Sequence, residues 1–173
     1  MSLAFEGDNF SVRIVSRQVR SVWQDFEFVV RPEVALCIPM NSQGQMLLIR
    51  QYRVAVDNVI MEFPAGRVSP GEDPESAARR EVLEEIGFRT QSIDRLGSFL
   101  TAPHFSDELV SVFVAKGDVI SPPTPTPKED LRQIVEVLPS TIDQLIADGS
   151  ILDSKSIAAH TLARIRGCFR IAK

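Results

Sequence analysis

The first third of the chain alternates. "SVRIVSRQVR" and "WQDFEFVV" are β-branched or aromatic at partial period two, the pattern of strands with two unequal faces. In the second stretch, Phe26 and Phe28 share a face with Gln24 and Val30, which predicts them as a core pair. Trp23 falls on the opposite face with Asp25 and Glu27. "EVALCIPM" and "QMLLIRQY" are apolar strands around "NSQG", whose turn chemistry predicts a hairpin. "VIMEFPAG" reads as one further strand, ended by Pro64 and Gly66. The pattern then changes period. In "DPESAARREVLEEIGF", Ala78, Val82 and Ile86 recur every fourth residue, the stripe of a helix. Asp73 suits its N-cap, Pro74 its first position and Gly87 its left-handed stop. Strands resume at about 92–99 and 109–116, and a proline-rich loop, "SPPTPTPKED", feeds the strand "LRQIVEVLP". Two helices close the chain. The first opens at Ser140 or Thr141, and the second buries Ile157, Leu162 and Ile165. Strands early and helices in the middle and at the end indicate an α+β fold.

Composition narrows the class. The chain has 173 residues, 44% hydrophobic and 24% charged, which suits one globular unit. A net charge of −4 gives no basic excess for a nucleic-acid partner. Cys37 and Cys168 lie far apart, so neither a zinc site nor a disulfide framework is expected. No signal peptide and no membrane-length apolar run is read, and the expectation is a cytoplasmic protein.

The chemistry is concentrated in "REVLEEIGF". Glu81 lies three and four residues before Glu84 and Glu85, so the side chains crowd one face and repel. Arg80 can pair with Glu84 or Glu72, but no basic residue of the helix is expected to neutralise Glu81 and Glu85. The glutamates also lie off the buried stripe. Taken alone, such a face is solvated; otherwise a cation sits there. Hard divalent cations take oxygen ligands, and Mg²⁺ needs only a few carboxylates. Glu81 and Glu85 supply two, Glu84 a third or a group that polarises a water, and the carbonyl of Ala65 reaches the same ion. Arg80 fixes carboxylate rotamers from outside the metal's own ligands.

Gly66 through Phe88 is similar to the Nudix box at every signature position: Gly66, Glu72, Arg80-Glu81, Val82, Glu84-Glu85, Gly87 and Phe88. The box covers 23 of the 173 residues, and its many fixed spacings make it specific. The resemblance implies the Nudix fold, a mixed β-sheet sandwiched between helices, and hydrolysis of nucleoside diphosphates linked to another moiety with Mg²⁺ or Mn²⁺.

Features outside the box resemble the ADP-ribose pyrophosphatase branch: "RQYR" ahead of "EFPAGR", Pro103 fifteen positions after Phe88, and the loop "APHFSDE", where Ala102 and His104 depart from the branch pattern. That branch implies cleavage of ADP-ribose to AMP and ribose 5-phosphate. The alternatives are another nucleotide sugar such as GDP-mannose, or a module that senses ADP-ribose without cleaving it. Arg53 and Arg67 are candidates for substrate phosphate or ribose, Glu62 for ribose hydroxyls and Glu108 for a water at the metal. The branch places a catalytic glutamate in a comparable late loop, where Glu129 matches. His104 and His160 are not expected to act as bases. The branch also uses N-terminal antiparallel strands in dimerisation. Residues 1–32 are read as that segment, 33–173 as the hydrolase domain, and the protein as a homodimer with Trp23 or Arg31 near the nucleotide base.

Overall fold

The computed structural model describes residues 1–124 and 130–169. Strands β1 (Ser2–Glu6), β2 (Ser11–Val19) and β3 (Val22–Val30) form an antiparallel sheet of their own. A seven-stranded mixed sheet follows. It contains β4 (Val34–Met40), β5 (Met46–Arg53), β6 (Asn58–Glu62), β7 (Ala65–Arg67), β8 (Phe88–Leu100), β9 (Leu109–Val119) and β10 (Leu131–Val137). Its main path runs β10-β5-β4-β9-β8, with β4 and β9 parallel.

The feature that makes room for a site is a fork. β4 and β5 pair at Met40 and Met46, beside the turn where Gly44 takes a left-handed conformation (φ 76°). Beyond that point β5 pairs with β6, and β4 pairs with β7. The expected single strand "VIMEFPAG" is therefore two short strands, because Phe63 and Pro64 cross the gap between the fork's arms. Ala65 and Gly66 end up opposite Leu36 and Ala35.

Helices cover both faces. α1 (Pro74–Ile86) packs Ala77, Ala78, Val82 and Ile86 onto Ala35, Cys37, Leu47 and Ile49. α2 (Pro139–Ala147) and α3 (Ser154–Ile165) cover the other face, where Ile142, Ala159 and Ala163 meet Leu36, Ile38, Leu48 and Val112. Asp73 caps α1 by accepting the Glu75 and Ser76 amide N–H groups, and Gly87 stops it at φ 65°. A Cβ at Gly87 would also stand 1.8 Å from the Ser121 carbonyl oxygen. No helix among the described residues is long and apolar enough to cross a membrane.

Several expectations change. β1 was not anticipated, and β8 begins directly at Phe88. The N-cap of α2 is Leu138 rather than Ser140 or Thr141, because Pro139 takes the first helical position. In α3, Ile165 is exposed and His160 is buried. Phe26 is exposed and Phe28 only half-buried, so they are not a core pair within this chain. Their sheet is separate in its strand pairing and is joined to the rest at Val29, which bridges Ser106.

Candidate active site

The fork delivers Ala65 and Gly66 to the underside of α1. Glu85 is 1% exposed and its Oε2 accepts the Ala65 N–H at 3.2 Å. Glu81 is 6% exposed and its carboxylate lies against the Gly66 backbone. Both glutamates are therefore buried beside the apolar stripe, which corrects the expectation of a face lying clear of it.

Arg80 holds the cluster together. Its Nε and Nη2 donate to Glu72 at 3.0 and 3.1 Å, and its Nη1 donates to Glu81 at 2.6 Å and Glu84 at 3.2 Å. Nη2 also donates to the Arg67 carbonyl at 3.0 Å. The expectation that no helix cation reaches Glu81 is thus overturned: the guanidinium folds over its own neighbour as it reaches toward Glu72. Arg80 and the Ser69 N–H hold the Glu72 carboxyl well below the usual range, at about 2. The same bonds hold the Arg80 guanidinium charged.

A second pair stands on the other arm of the fork. Arg53 donates to Glu62 Oε1 through Nε at 2.8 Å and Nη2 at 2.7 Å. Burial pushes the Glu62 carboxyl up, against the opposing pull of Arg53 and Lys155. A third pair lies at the end of β3, where Arg31 meets Glu108 at 2.9 Å. The Arg31 amide N–H donates to Asp107, and Val29 exchanges backbone hydrogen bonds with Phe105 and Asp107. Arg67 bonds the Asp8 carbonyl and so ties the first sheet to the box.

The structure brings Ala65, Glu81, Glu84, Glu85, Arg80 and Glu72 together. It does not bring Trp23 to them. That ring is 69% exposed near the β2–β3 turn, eight residues or roughly 25 Å along the strand from Arg31. Glu129 lies outside the described residues. Two flanking contacts went unread in the sequence: the Thr124 N–H donates to the Glu84 carbonyl, and the Tyr52 N–H to the Asp130 carbonyl. These are backbone contacts, and no side-chain pattern marks them.

The donors gathered here are all oxygens, the chemistry of a hard cation. Among the described residues no three acidic, histidine or cysteine side chains form a ready cage. Mg²⁺ does not require one, since it keeps waters and substrate phosphates beside one or two carboxylates. Glu81, Glu85 and the Ala65 peptide fit that demand.

The geometry agrees with what the chain resembles among known proteins. Residues 30–156 match the NUDIX domain model. The chain is 33% identical over 159 residues to the methanol dehydrogenase activator of Bacillus methanolicus, covering 87% of this chain and 85% of that protein. It is 26% identical over 148 residues to an ADP-ribose pyrophosphatase of Bacillus subtilis, covering 85% and 80%. It is 28% identical over 175 residues to a GDP-mannose pyrophosphatase of Yersinia enterocolitica, covering 96% and 91%. A crystal structure of an ADP compounds hydrolase superposes with a TM-score of 0.83 at 24% identity, over 96% of this chain and 91% of that one, a likeness of fold. The glutamate-lined helix, the forked sheet and the match over residues 30–156 have one meaning: the chain belongs to the Nudix family.

Proposed function

We propose that the protein hydrolyses the diphosphate bond of a nucleoside diphosphate sugar, with ADP-ribose as the preferred substrate and AMP and ribose 5-phosphate as products. The observation that carries this reading is the buried Glu81–Glu85 face beside Ala65 and Gly66, fixed by the Arg80–Glu72 pair. Relatives named as ADP-ribose and GDP-mannose pyrophosphatases support the substrate class.

Glu81, Glu85 and the Ala65 carbonyl hold Mg²⁺ or Mn²⁺. When bound, the cation neutralises phosphoryl oxygens and makes water more acidic. Arg80 keeps the carboxylates in register, so little reorganisation is needed at reaction. Arg53 and Arg67 offer guanidinium forks to diphosphate oxygens, and Glu62 accepts from ribose hydroxyls. Water attacks one phosphorus, the bridging P–O bond breaks, and Glu129 or Glu84 takes the water's proton. Glu108, held by Arg31, orders a water at the edge of the site.

The protein acts as a homodimer in this account. Leu3, Phe5, Val22, Trp23 and Phe26 are exposed on the first sheet, more apolar surface than a lone sheet leaves to water without a partner. Trp23 does not reach its own chain's glutamates; in this account Trp23 or Arg31 lies at the subunit boundary near the nucleotide base.

The test is a panel of nucleotide sugars with Mg²⁺ and chromatography of the products. The reading expects ADP-ribose to give the highest kcat/KM. Faster cleavage of GDP-mannose would move the preference to that sugar. Binding of ADP-ribose without cleavage would make the protein a sensing module.

A further inference from the structure

The chain crosses the fork without ladder support. The β5–β6 pairing ends at Glu62 opposite Ile49, and the β4–β7 pairing begins at Ala65 opposite Leu36. Phe63 and Pro64 lie between, and the Phe63 ring is buried on the α2–α3 side. Proline has no N–H, so the Phe63 amide is the one backbone donor of the two. Its partner is a side chain from the far end of the sequence: the Phe63 N–H donates to Ser156 Oγ of α3 at 2.9 Å. Ser156 is 1% exposed. Its hydroxyl donates in turn to Asp153 Oδ2 at 2.7 Å, which leaves its lone pairs for the strand. Lys155 holds Asp153 through the other carboxylate oxygen. The helix does not need this hydroxyl. Asp153 caps α3 through the Ser156 N–H at 2.9 Å, and alanine at that position would keep the cap.

Two residues past Phe63 stands Ala65, whose peptide belongs to the site. Its N–H donates to Glu85 Oε2 at 3.2 Å, and the Pro64 carbonyl accepts the Cys37 N–H at 3.0 Å. Three elements therefore hold the crossing: β4 through Cys37, α1 through Glu85 and α3 through Ser156. Ser156 acts at the end where the chain leaves β6. We propose that Ser156 is a positioning residue for the metal ligand: its hydroxyl, by accepting the Phe63 N–H, sets the Phe63–Pro64 crossing and so the place of the Ala65 carbonyl. The proposal rests on the reading of that carbonyl as a ligand of Mg²⁺ or Mn²⁺. Without the hydroxyl the buried N–H loses its acceptor, and the crossing shifts until water or another group supplies one. Groups that orient a ligand from behind carry much of a metal site's affinity.

The experiment titrates the full-length protein with Mn²⁺, without substrate, and follows the free ion by electron paramagnetic resonance. Ser156→Ala is expected to melt as a folded protein and to bind Mn²⁺ about tenfold more weakly or worse. Ser156→Thr, which keeps the hydroxyl, is expected to restore most of that affinity. Ile142→Val trims the same core from α2, so it should lower Tm and leave the affinity unchanged. Wild-type affinity in Ser156→Ala would overturn the proposal, and so would a threonine variant as weak as the alanine one. An equal loss in Ile142→Val would overturn it too, since stability and not position would then set the affinity. If Ser156→Ala does not fold, Ser156→Cys, whose sulfur is a weak acceptor, is read by the same titration. It is expected to bind more weakly than wild type, and unchanged binding would overturn the proposal. A wild-type protein that takes up no Mn²⁺ would overturn it as well. A parallel incubation of wild-type protein with ADP-ribose and Mg²⁺ keeps the two readings apart: Mn²⁺ binding without cleavage defeats the hydrolase and leaves Ser156's role to the titrations.

Discussion

Glu81 and Gly66 are in such close contact that a Cβ on Gly66 would stand 1.8 Å from Glu81 Oε1. The glycine is needed here for its missing side chain. Gly66→Ala is expected to fold, because the atom displaced is the end of a flexible side chain. The displaced carboxylate should cut kcat about a hundredfold, the scale of a misplacement near 1 Å. Steady-state kinetics with a thermal melt checks both parts; full activity would mean that Glu81 needs no fixed position.

Arg80 makes bonds that a lysine cannot copy, because the fork reaches Glu72, Glu81, Glu84 and the Arg67 carbonyl at once. Arg80→Lys should lower kcat/KM tenfold or more and Tm by a few degrees. It should also release Glu72. In the wild type the depressed Glu72 carboxyl favours the fold fully above its unfolded value of about 4.3, and that contribution is lost as pH falls toward about 2. In Arg80→Lys the Glu72 titration, followed by carboxyl NMR, should move up toward the ordinary range.

The helix of the box was legible residue by residue, because Asp73, Pro74 and Gly87 are local signals and the structure uses each as read. The burial of Glu81 and Glu85 was not. Period four gives the apolar stripe, but only the fork of β4 and β5, a tertiary event, brings Ala65 and Gly66 under the helix shoulder. The parallel pairing of β4 with β9 was hidden for the same reason, since the partners are more than seventy residues apart. The misjudged face of Phe26 and Phe28 has another cause. Alternation tells which residues share a face, and not which body covers it.

His160 is buried at 1% exposure, with Nε2 3.0 Å from Asp143. Burial lowers its proton affinity more than Asp143 raises it, and Arg164 lowers it further. Above an unfolded value of about 6.5 both states are neutral and His160 adds no pH dependence. As pH falls through that value the unfolded chain binds the proton first, so stability falls until the folded value is passed. Melts from pH 7.5 to 5 should show this decline, and His160→Gln should make it shallower. An unchanged slope would assign the decline to other groups.

The first sheet should vanish from solvent in a dimer. Light scattering at micromolar concentration is expected to give twice the mass of the 19.2 kDa chain. Trp23→Ala should raise KM for ADP-ribose with little change in kcat, since the base is held equally before and during reaction. A monomer by light scattering, or an unmoved KM, would remove Trp23 from the substrate site.

The account's central claim is that the buried glutamate face drives metal-dependent cleavage of a diphosphate. The most direct measurement is chromatography of ADP-ribose incubated with Mg²⁺ and either the wild-type protein or Glu85→Gln, each repeated in EDTA. The account predicts AMP and ribose 5-phosphate from the wild type with Mg²⁺, none in EDTA, and a kcat at least about a hundredfold lower for a Glu85→Gln variant that still folds. Equal turnover by Glu85→Gln, or turnover that persists in EDTA, would contradict it.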